Sequence, residues 1–77
     1  MMKIEMHNTL IDKAKEKKDG VYSYKGYLYA VRNNIVMAYA DCFGTINSIY
    51  GAFHTKIGKV ERYDRKKKLL EYLKTIN

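Results

Sequence analysis

Apolar and aromatic residues dominate three consecutive segments in the middle of the chain. Val21–Tyr24, Tyr27–Arg32 and Ile35–Ala40 are rich in the β-branched and aromatic residues that favour strands. Two residues separate each neighbouring pair of segments, Lys25-Gly26 at the first junction and Asn33-Asn34 at the second. Glycine and asparagine tolerate the left-handed backbone of a two-residue hairpin turn. The pattern therefore predicts an antiparallel β-meander, with a bulge in the first turn as the alternative.

The register of these strands decides which side chains share a face of the sheet. Two-residue loops at both turns place four tyrosines on one face, because successive side chains alternate between faces. That face collects Tyr22, Tyr24, Tyr27, Tyr29, Val31, Val36, Ala38 and Ala40. The opposite face collects Val21, Leu28, Ala30, Ile35, Met37 and Tyr39. The four tyrosines form either the floor of a core, a stacking platform for nucleic-acid bases, or a protein interface.

The segment before the meander has helical spacing. Ile4, Leu10, Ile11 and Ala14 recur near one side of a helix, which predicts a single helix from about residue 3 to 18. Gly20 follows as a stop signal. A weak capping box at Thr9 leaves a second arrangement open, with a short strand over residues 2–7 and a helix that begins at Thr9.

The segments after the meander predict one more strand and one more helix. Residues 41–53 show no clear period, and a strand bulged at Gly58 is expected near residues 53–61. Asp64 is placed to cap the last helix. The apolar stripe of that helix comprises Leu69, Leu70, Leu73 and Ile76, with Tyr72 beside it. The order predicts an α+β fold: a small single domain over residues 1–77, with a three- to four-stranded antiparallel β-meander between an N-terminal and a C-terminal helix.

Charge is the property that bears most directly on function. The 77 residues carry a formal net charge of +7, with a pI near 9.5, which favours polyanionic partners. The densest cluster comprises Lys56, Lys59, Arg62, Arg65, Lys66, Lys67 and Lys68, set against Glu61 and Asp64. Four of these cations stand at the start of the last helix, where they oppose the helix dipole. A phosphate group would be stabilised there, whereas the plainer alternative is a solvated face.

No pattern in the chain predicts catalysis, a metal site or a cofactor. His7 and His54 are far apart in sequence, and no further metal ligands stand at a recognisable spacing. Cys42 and His54 are a nonspecific nucleophile–base pair, and a buried small thiol is the simpler account of the cysteine. The five glycines form neither a phosphate-binding loop nor a dinucleotide fingerprint. We therefore expect a non-enzymatic protein without a cofactor or a metal.

The sequence predicts a small basic protein that binds nucleic acid, DNA or RNA, through the cluster from Lys56 to Lys68, with stacking by Tyr22 or Tyr27. The alternative is a protein-interaction module that uses the tyrosine face. It would be a homodimer, which buries an uncovered sheet face, or a regulator of a larger acidic protein. The single cysteine and the lack of a long apolar stretch favour a cytoplasmic protein with no membrane span. Lysine outnumbers arginine 12 to 3, and Lys, Ile, Asn and Tyr make up 32 of the 77 residues. These residues have A/T-rich codons, which favours an A/T-rich bacterial or phage genome.

Overall fold

A computed structural model of the chain describes residues 4–49 and 55–76, and the order of its elements is that of an α+β domain. The elements are α1 (Ile4–Ala14), β1 (Gly20–Tyr24), β2 (Tyr27–Arg32), β3 (Ile35–Ala40), β4 (Thr45–Ser48), β5 (Thr55–Lys59), a 3-10 helix (Arg62–Asp64) and α2 (Arg65–Thr75). The strands of the described residues form one antiparallel sheet in the order β1-β2-β3-β4-β5. The predicted fold class is confirmed, with five strands rather than three or four.

The two predicted hairpin turns are confirmed by their backbone angles. The four turn residues all have positive φ: Lys25 (48°), Gly26 (83°), Asn33 (54°) and Asn34 (63°). Two successive left-handed residues make a type I′ turn, whose twist matches that of the strands it joins. The first hairpin keeps its expected register, in which Tyr24 pairs with Tyr27 and Tyr22 with Tyr29, without a bulge.

A bulge in β3 changes the faces predicted for the second half of that strand. Met37 is the extra residue, because the pairing of β3 with β2 shifts by one position there. Beyond the bulge Tyr39 packs with the tyrosine cluster, whereas Ala38 and Ala40 belong to the opposite core. The predicted faces of these three residues were therefore wrong, because an inserted residue reverses the alternation of every residue after it.

Each face of the sheet is covered by one helix. Helix α1 packs on β3, and the core beneath it comprises Leu10, Ala14, Tyr29, Val31, Val36, Tyr39 and Ile49. Helix α2 packs across β1, β2 and β3 on the other face, over a core that comprises Ala30, Met37, Ala38, Ala40, Ile46, Leu69 and Leu73. The tyrosine face is thus the floor of a core, which was the first of its three interpretations.

Helix α1 is shorter than predicted, and it is a helix from its first described residue. Residues 4–7 are helical, so the alternative of a strand over residues 2–7 was wrong there, and residues 2 and 3 lie outside the described part. Thr9 does not cap the helix, because its hydroxyl donates to the carbonyl of Glu5 at 2.8 Å within it. The Thr9 hydroxyl therefore forms its hydrogen bond with the backbone one helical turn before it, as threonine in a helix interior commonly does.

After Ala14 the chain continues in tighter turns instead of the helix predicted to about residue 18, because the N–H groups of residues 15–17 each donate to the carbonyl three residues before. The carbonyl of Lys17 accepts a hydrogen bond from Asn34 Nδ2 at 2.7 Å, and the carbonyl of Lys18 accepts one from the Tyr22 hydroxyl at 2.7 Å. These carbonyls are thereby satisfied by the sheet rather than by a further helical turn. The partners lie on other elements, so local helical spacing carried no sign of them.

The region after the meander contains a strand that its sequence did not reveal. Strand β4 pairs with β3, and its Ser48 hydroxyl lies 2.6 Å from the Tyr72 hydroxyl of α2. Strand β5 covers part of the range predicted near residues 53–61, of which residues 53 and 54 lie outside the described part. The predicted bulge is present, because the pairing of β4 with β5 shifts at Ile57, next to Gly58.

Helix α2 buries its predicted stripe only in part. Leu69 and Leu73 are buried, Ile76 is half-buried and Leu70 is exposed. The guanidinium of Arg32, from the end of β2, donates to the carbonyls of Leu73 and Ile76. A cation on the last carbonyls of a helix complements the negative end of its dipole. This contact connects the C-terminal end of α2 to the sheet.

Candidate basic interface at the start of helix α2

The basic residues predicted as a site surround the end of the sheet where α2 begins. Arg65 joins the elements at this end: its Nη1 donates to the carbonyl of Gly26 at 2.9 Å and to that of Asp41 at 2.8 Å. Its Nε donates to the carbonyl of Arg62 at 2.9 Å. The start of α2 is therefore held against the β1–β2 turn and against the end of β3. Arg65 is occupied by structural contacts, unlike the exposed cations on either side of it.

The contact to Gly26 brings one unpredicted lysine to this end. Lys25 is exposed and stands beside Gly26 in the β1–β2 turn, which lies 39 positions before Arg65 in sequence. Its distance along the chain from the predicted cluster is the reason that sequence reasoning missed it. Its place in a two-residue turn was the only available sign, since such turns project their side chains from the end of a sheet.

The exposed cations of the predicted cluster do not all lie on one side of the sheet. Lys56 pairs with Asn47, and Asn47 pairs with Tyr39, so Lys56 shares the face covered by α1. Lys59 pairs with Thr45 and lies on the same face, at the end of β5. Three further cations, Lys66, Lys67 and Lys68, lie on α2, which covers the opposite face, and Arg62 lies in the 3-10 helix between β5 and α2; all four are exposed. The cations that form one cluster in the sequence are thus divided in the structure between β5 and the start of α2.

Carboxylates compensate only part of this charge. Lys68 Nζ lies 3.5 Å from a Glu71 oxygen, and both side chains are about half exposed. Glu61 and Asp64 line a shallow depression together with Lys67 and Lys68. Among described residues, no ion pair or hydrogen bond engages the side chains of Arg62, Lys66 or Lys67. These three cations are therefore available to an external anion.

The helix start itself is a weaker anion site than the sequence predicted. The backbone N–H of Asp64 donates to the carbonyl of Glu61 at 2.9 Å, and that of Arg65 donates to the carbonyl of Arg62. The 3-10 turn therefore satisfies two donors that a phosphate would otherwise use. The Asp64 side chain makes no capping hydrogen bond, contrary to its predicted role. The groups that this end offers to an anion are therefore its side-chain cations.

The four tyrosines predicted for stacking or for an interface are largely enclosed. Tyr29 is 1% exposed, whereas Tyr22, Tyr24 and Tyr27 are half-buried at the margin of the α1 core. A fully buried ring offers no face to a base. Lysines cover two of the other rings: Lys13 Nζ lies 4.3 Å and Lys25 Nζ 5.5 Å from the centre of Tyr24, and Lys17 Nζ lies 5.1 Å from that of Tyr22. These cation–π contacts orient lysines along the β1 edge.

The loop from Asp41 to Gly44 is a hydrogen-bonded turn at the same end as Arg65. One oxygen of the Asp41 carboxylate accepts hydrogen bonds from the backbone N–H groups of Phe43 and Thr45, both at 2.9 Å. The carbonyl of Gly44 accepts from Val60 N–H at 2.8 Å. The turn therefore fixes the strand that follows it and also the segment that leads into the 3-10 helix.

Burial of the core tyrosines makes the free energy of unfolding change with pH in the alkaline range. Burial, with smaller contributions from Asp41 and Tyr27, raises the pKa of Tyr39 to about 12 from its ordinary value of 10.0. Burial also raises the pKa of Tyr29. Because the pKa is raised only in the folded protein, the unfolded chain loses the tyrosine proton at a lower pH than the folded protein does. The stabilising effect is therefore complete below pH 10 and is lost as the pH rises towards 12.

We expect the free energy of unfolding to fall between pH 10 and pH 12 by up to about 1.4 kcal/mol per pH unit for Tyr39. Urea unfolding curves at pH 8, 10 and 11.5 measure it. The Tyr39→Phe variant, which has no proton to lose at this position, is expected to show a shallower decline. Equal slopes in the two proteins would contradict the assignment to Tyr39.

Metal ligands do not cluster in the described part of the chain. No group of three or more His, Cys, Asp or Glu side chains there could hold a metal ion. Cys42 is a half-buried free thiol, and His54, the base suggested for it, lies outside the described residues. No helix within residues 4–49 and 55–76 has the length and apolar character needed to cross a membrane. Comparisons with protein-family models, with curated proteins and with solved structures find no match.

Proposed function

We propose that this protein binds nucleic acid through the exposed cations at the end of the sheet where α2 begins. The single observation that carries the proposal is the convergence of cations from three separate segments at this end. Lys25 comes from the β1–β2 turn, Lys59 from the end of β5, and Arg62, Lys66 and Lys67 from the 3-10 helix and the first turn of α2. The contact of Arg65 with Gly26 holds the first of these segments against the last.

Phosphate contacts account for the kind of binding expected here. Lysine and arginine side chains on phosphates supply affinity that depends on salt and carries no sequence information. The net charge of +7 adds a favourable field around the whole molecule. Lys56 lies near the start of β5, away from the end that leads to α2, and Lys68 is paired with Glu71, so we assign both a smaller part.

Removal of two charges at this end tests the proposal without disturbing Arg65. We expect Arg62→Gln/Lys66→Gln to weaken binding of a fluorescent 20-nucleotide DNA. We also expect the slope of log affinity against log salt to decrease by about 0.7–0.9 for each phosphate that the variant no longer neutralises. Anisotropy titrations at 50, 100 and 200 mM salt measure both quantities. The physical reason is that fewer counterions are released when fewer phosphates are neutralised.

The matched control removes two charges from the opposite end of the molecule. Lys18 and Lys74 are exposed, and they follow α1 and end α2 respectively, so Lys18→Gln/Lys74→Gln has the same net charge as the test variant. It is expected to keep most of the affinity. Equal losses in the two variants would assign binding to overall charge alone. A poly-glutamate peptide that binds as tightly as the oligonucleotide would argue for an acidic protein partner instead.

A further inference from the structure

An exposed aromatic ring accompanies the cations at this end of the sheet. The side chain of Phe43 is 66% exposed, in the turn between β3 and β4. It lines a shallow depression whose other members are Lys59, Val60, Glu61 and Arg62. A single exposed apolar side chain is ordinary on a protein surface. A ring that lines one depression together with a lysine and an arginine is a more specific arrangement, because it offers an aromatic group and two positive charges to one ligand.

The backbone that carries Phe43 is fixed before any ligand arrives. The Asp41 carboxylate accepts a hydrogen bond from the N–H of Phe43 itself. The next residue, Gly44, packs so tightly on the Val60 carbonyl that a β-carbon added at Gly44 would lie 2.2 Å from the Val60 oxygen. The two segments that line the depression, the turn with Phe43 and the segment with Val60, are therefore in direct backbone contact. A preorganised site loses less conformational entropy when it binds than a mobile loop does.

The ligand chemistry that fits this surface combines a planar apolar group with negative charge on either side. A nucleotide within a single strand has this composition, since its base has two exposed faces and phosphates flank it. Bases within a duplex are stacked on one another and present only their edges. The carboxylate of Glu61 only accepts hydrogen bonds, so it suits the amino group of a base and repels phosphate. The depression therefore favours a single strand over a duplex.

We propose that the depression binds single-stranded nucleic acid, with one base stacked on Phe43 and the adjacent phosphates on Lys59 and Arg62. This inference rests on the function proposed above and narrows its ligand to a single strand. It also transfers the stacking role from the β1 and β2 tyrosines, whose rings are enclosed, to an exposed phenylalanine in a turn. The stack is independent of sequence, because every base has a π-face.

The test compares Phe43→Leu, which removes the ring but keeps an apolar side chain, with Phe43→Tyr, which keeps the ring. The probes are an oligothymidylate of 15 nucleotides and a 15-base-pair duplex, titrated by fluorescence anisotropy at one salt concentration. We expect Phe43→Leu to weaken single-strand binding by about 5- to 150-fold, the range for the loss of one base–aromatic stack. Duplex binding is expected to stay within about twofold, and Phe43→Tyr to bind both probes like the parent protein.

Tyr63 provides a matched aromatic control, because it is 84% exposed beside Arg62 and is not among the residues that line the depression. Tyr63→Leu is expected to change single-strand affinity by less than about twofold. The proposal is overturned if Phe43→Leu binds the single strand like the parent, if duplex binding falls equally, or if Tyr63→Leu matches its loss. Arg62→Gln/Lys66→Gln, measured in parallel, separates the two proposals: a loss there with none in Phe43→Leu leaves general phosphate binding intact and removes the stacked base.

Discussion

Replacement of Gly44 with alanine is expected to destabilise the domain by about 3–5 kcal/mol, the sum of a strained backbone, a steric overlap and a weakened hydrogen bond. Gly44 has a φ of 89°, and an added β-carbon would lie 2.2 Å from the Val60 carbonyl oxygen. Neither group can rotate away, since both belong to the backbone. Their separation would have to increase, which would weaken the hydrogen bond from Val60 N–H to the Gly44 carbonyl.

This loss is large for a chain of 77 residues, whose total stability is expected to be about 4–12 kcal/mol. Urea unfolding followed by circular dichroism measures the difference. The matched control is Gly26→Ala, because Gly26 has a similar φ of 83° and nothing within 4 Å of an added β-carbon. That variant should lose only about 1–2 kcal/mol, the cost of the backbone conformation alone. Equal losses at the two glycines would contradict a steric role for Val60.

Replacement of Arg65 with methionine is expected to cost about 2–3 kcal/mol of stability, because one charged donor group serves three backbone carbonyls. Methionine keeps an apolar stem of similar length and removes the guanidinium. The carbonyls of Gly26 and Asp41 are then no longer linked to the start of α2 through this side chain. The variant is expected to unfold at lower urea concentration, with the first turn of α2 less ordered.

Two further variants separate the shape of the guanidinium from its charge. Arg65→Lys retains the charge, yet a single ammonium cannot match the forked donors of arginine, so it should recover less than half of the loss. Lys66→Met removes a neighbouring exposed charge and should change stability by less than about 0.5 kcal/mol. If Lys66→Met destabilised the protein as much as Arg65→Met, positive charge at the start of α2, rather than the hydrogen bonds of Arg65, would be the stabilising property.

Arg65 illustrates how far a site can be predicted from a basic stretch of sequence. The four consecutive cations from Arg65 to Lys68 are equivalent as charges in the sequence, but their side chains have different contacts in the structure. Arg65 contacts backbone carbonyls 24 and 39 residues away, Lys68 faces Glu71, and Lys66 and Lys67 are exposed to solvent. Phe43 shows the converse, since one phenylalanine in an irregular loop has no pattern around it. Its place beside Lys59 and Arg62 depends on a loop contact to Val60 that local sequence does not encode.

Local sequence by itself determined the elements whose cause is local. The two-residue turns follow from Gly26 and from the Asn33-Asn34 pair, which accept positive φ. The three central strands follow from β-branched and aromatic runs, and α2 follows from a leucine stripe with helical spacing. The net charge is likewise a property of composition, and the proposal of a polyanionic partner starts from it.

Only the tertiary structure decided the face of Tyr39, the end of α1, the presence of β4 and the use of Arg65. Each depends on a partner in another element: the bulge at Met37 is a feature of β3 pairing with β2, and the carbonyls after α1 accept hydrogen bonds from Tyr22 on β1 and from Asn34 in the β2–β3 turn. Hydrogen bonds and packing between remote segments form only once the chain is compact, so no window of neighbouring residues contains them.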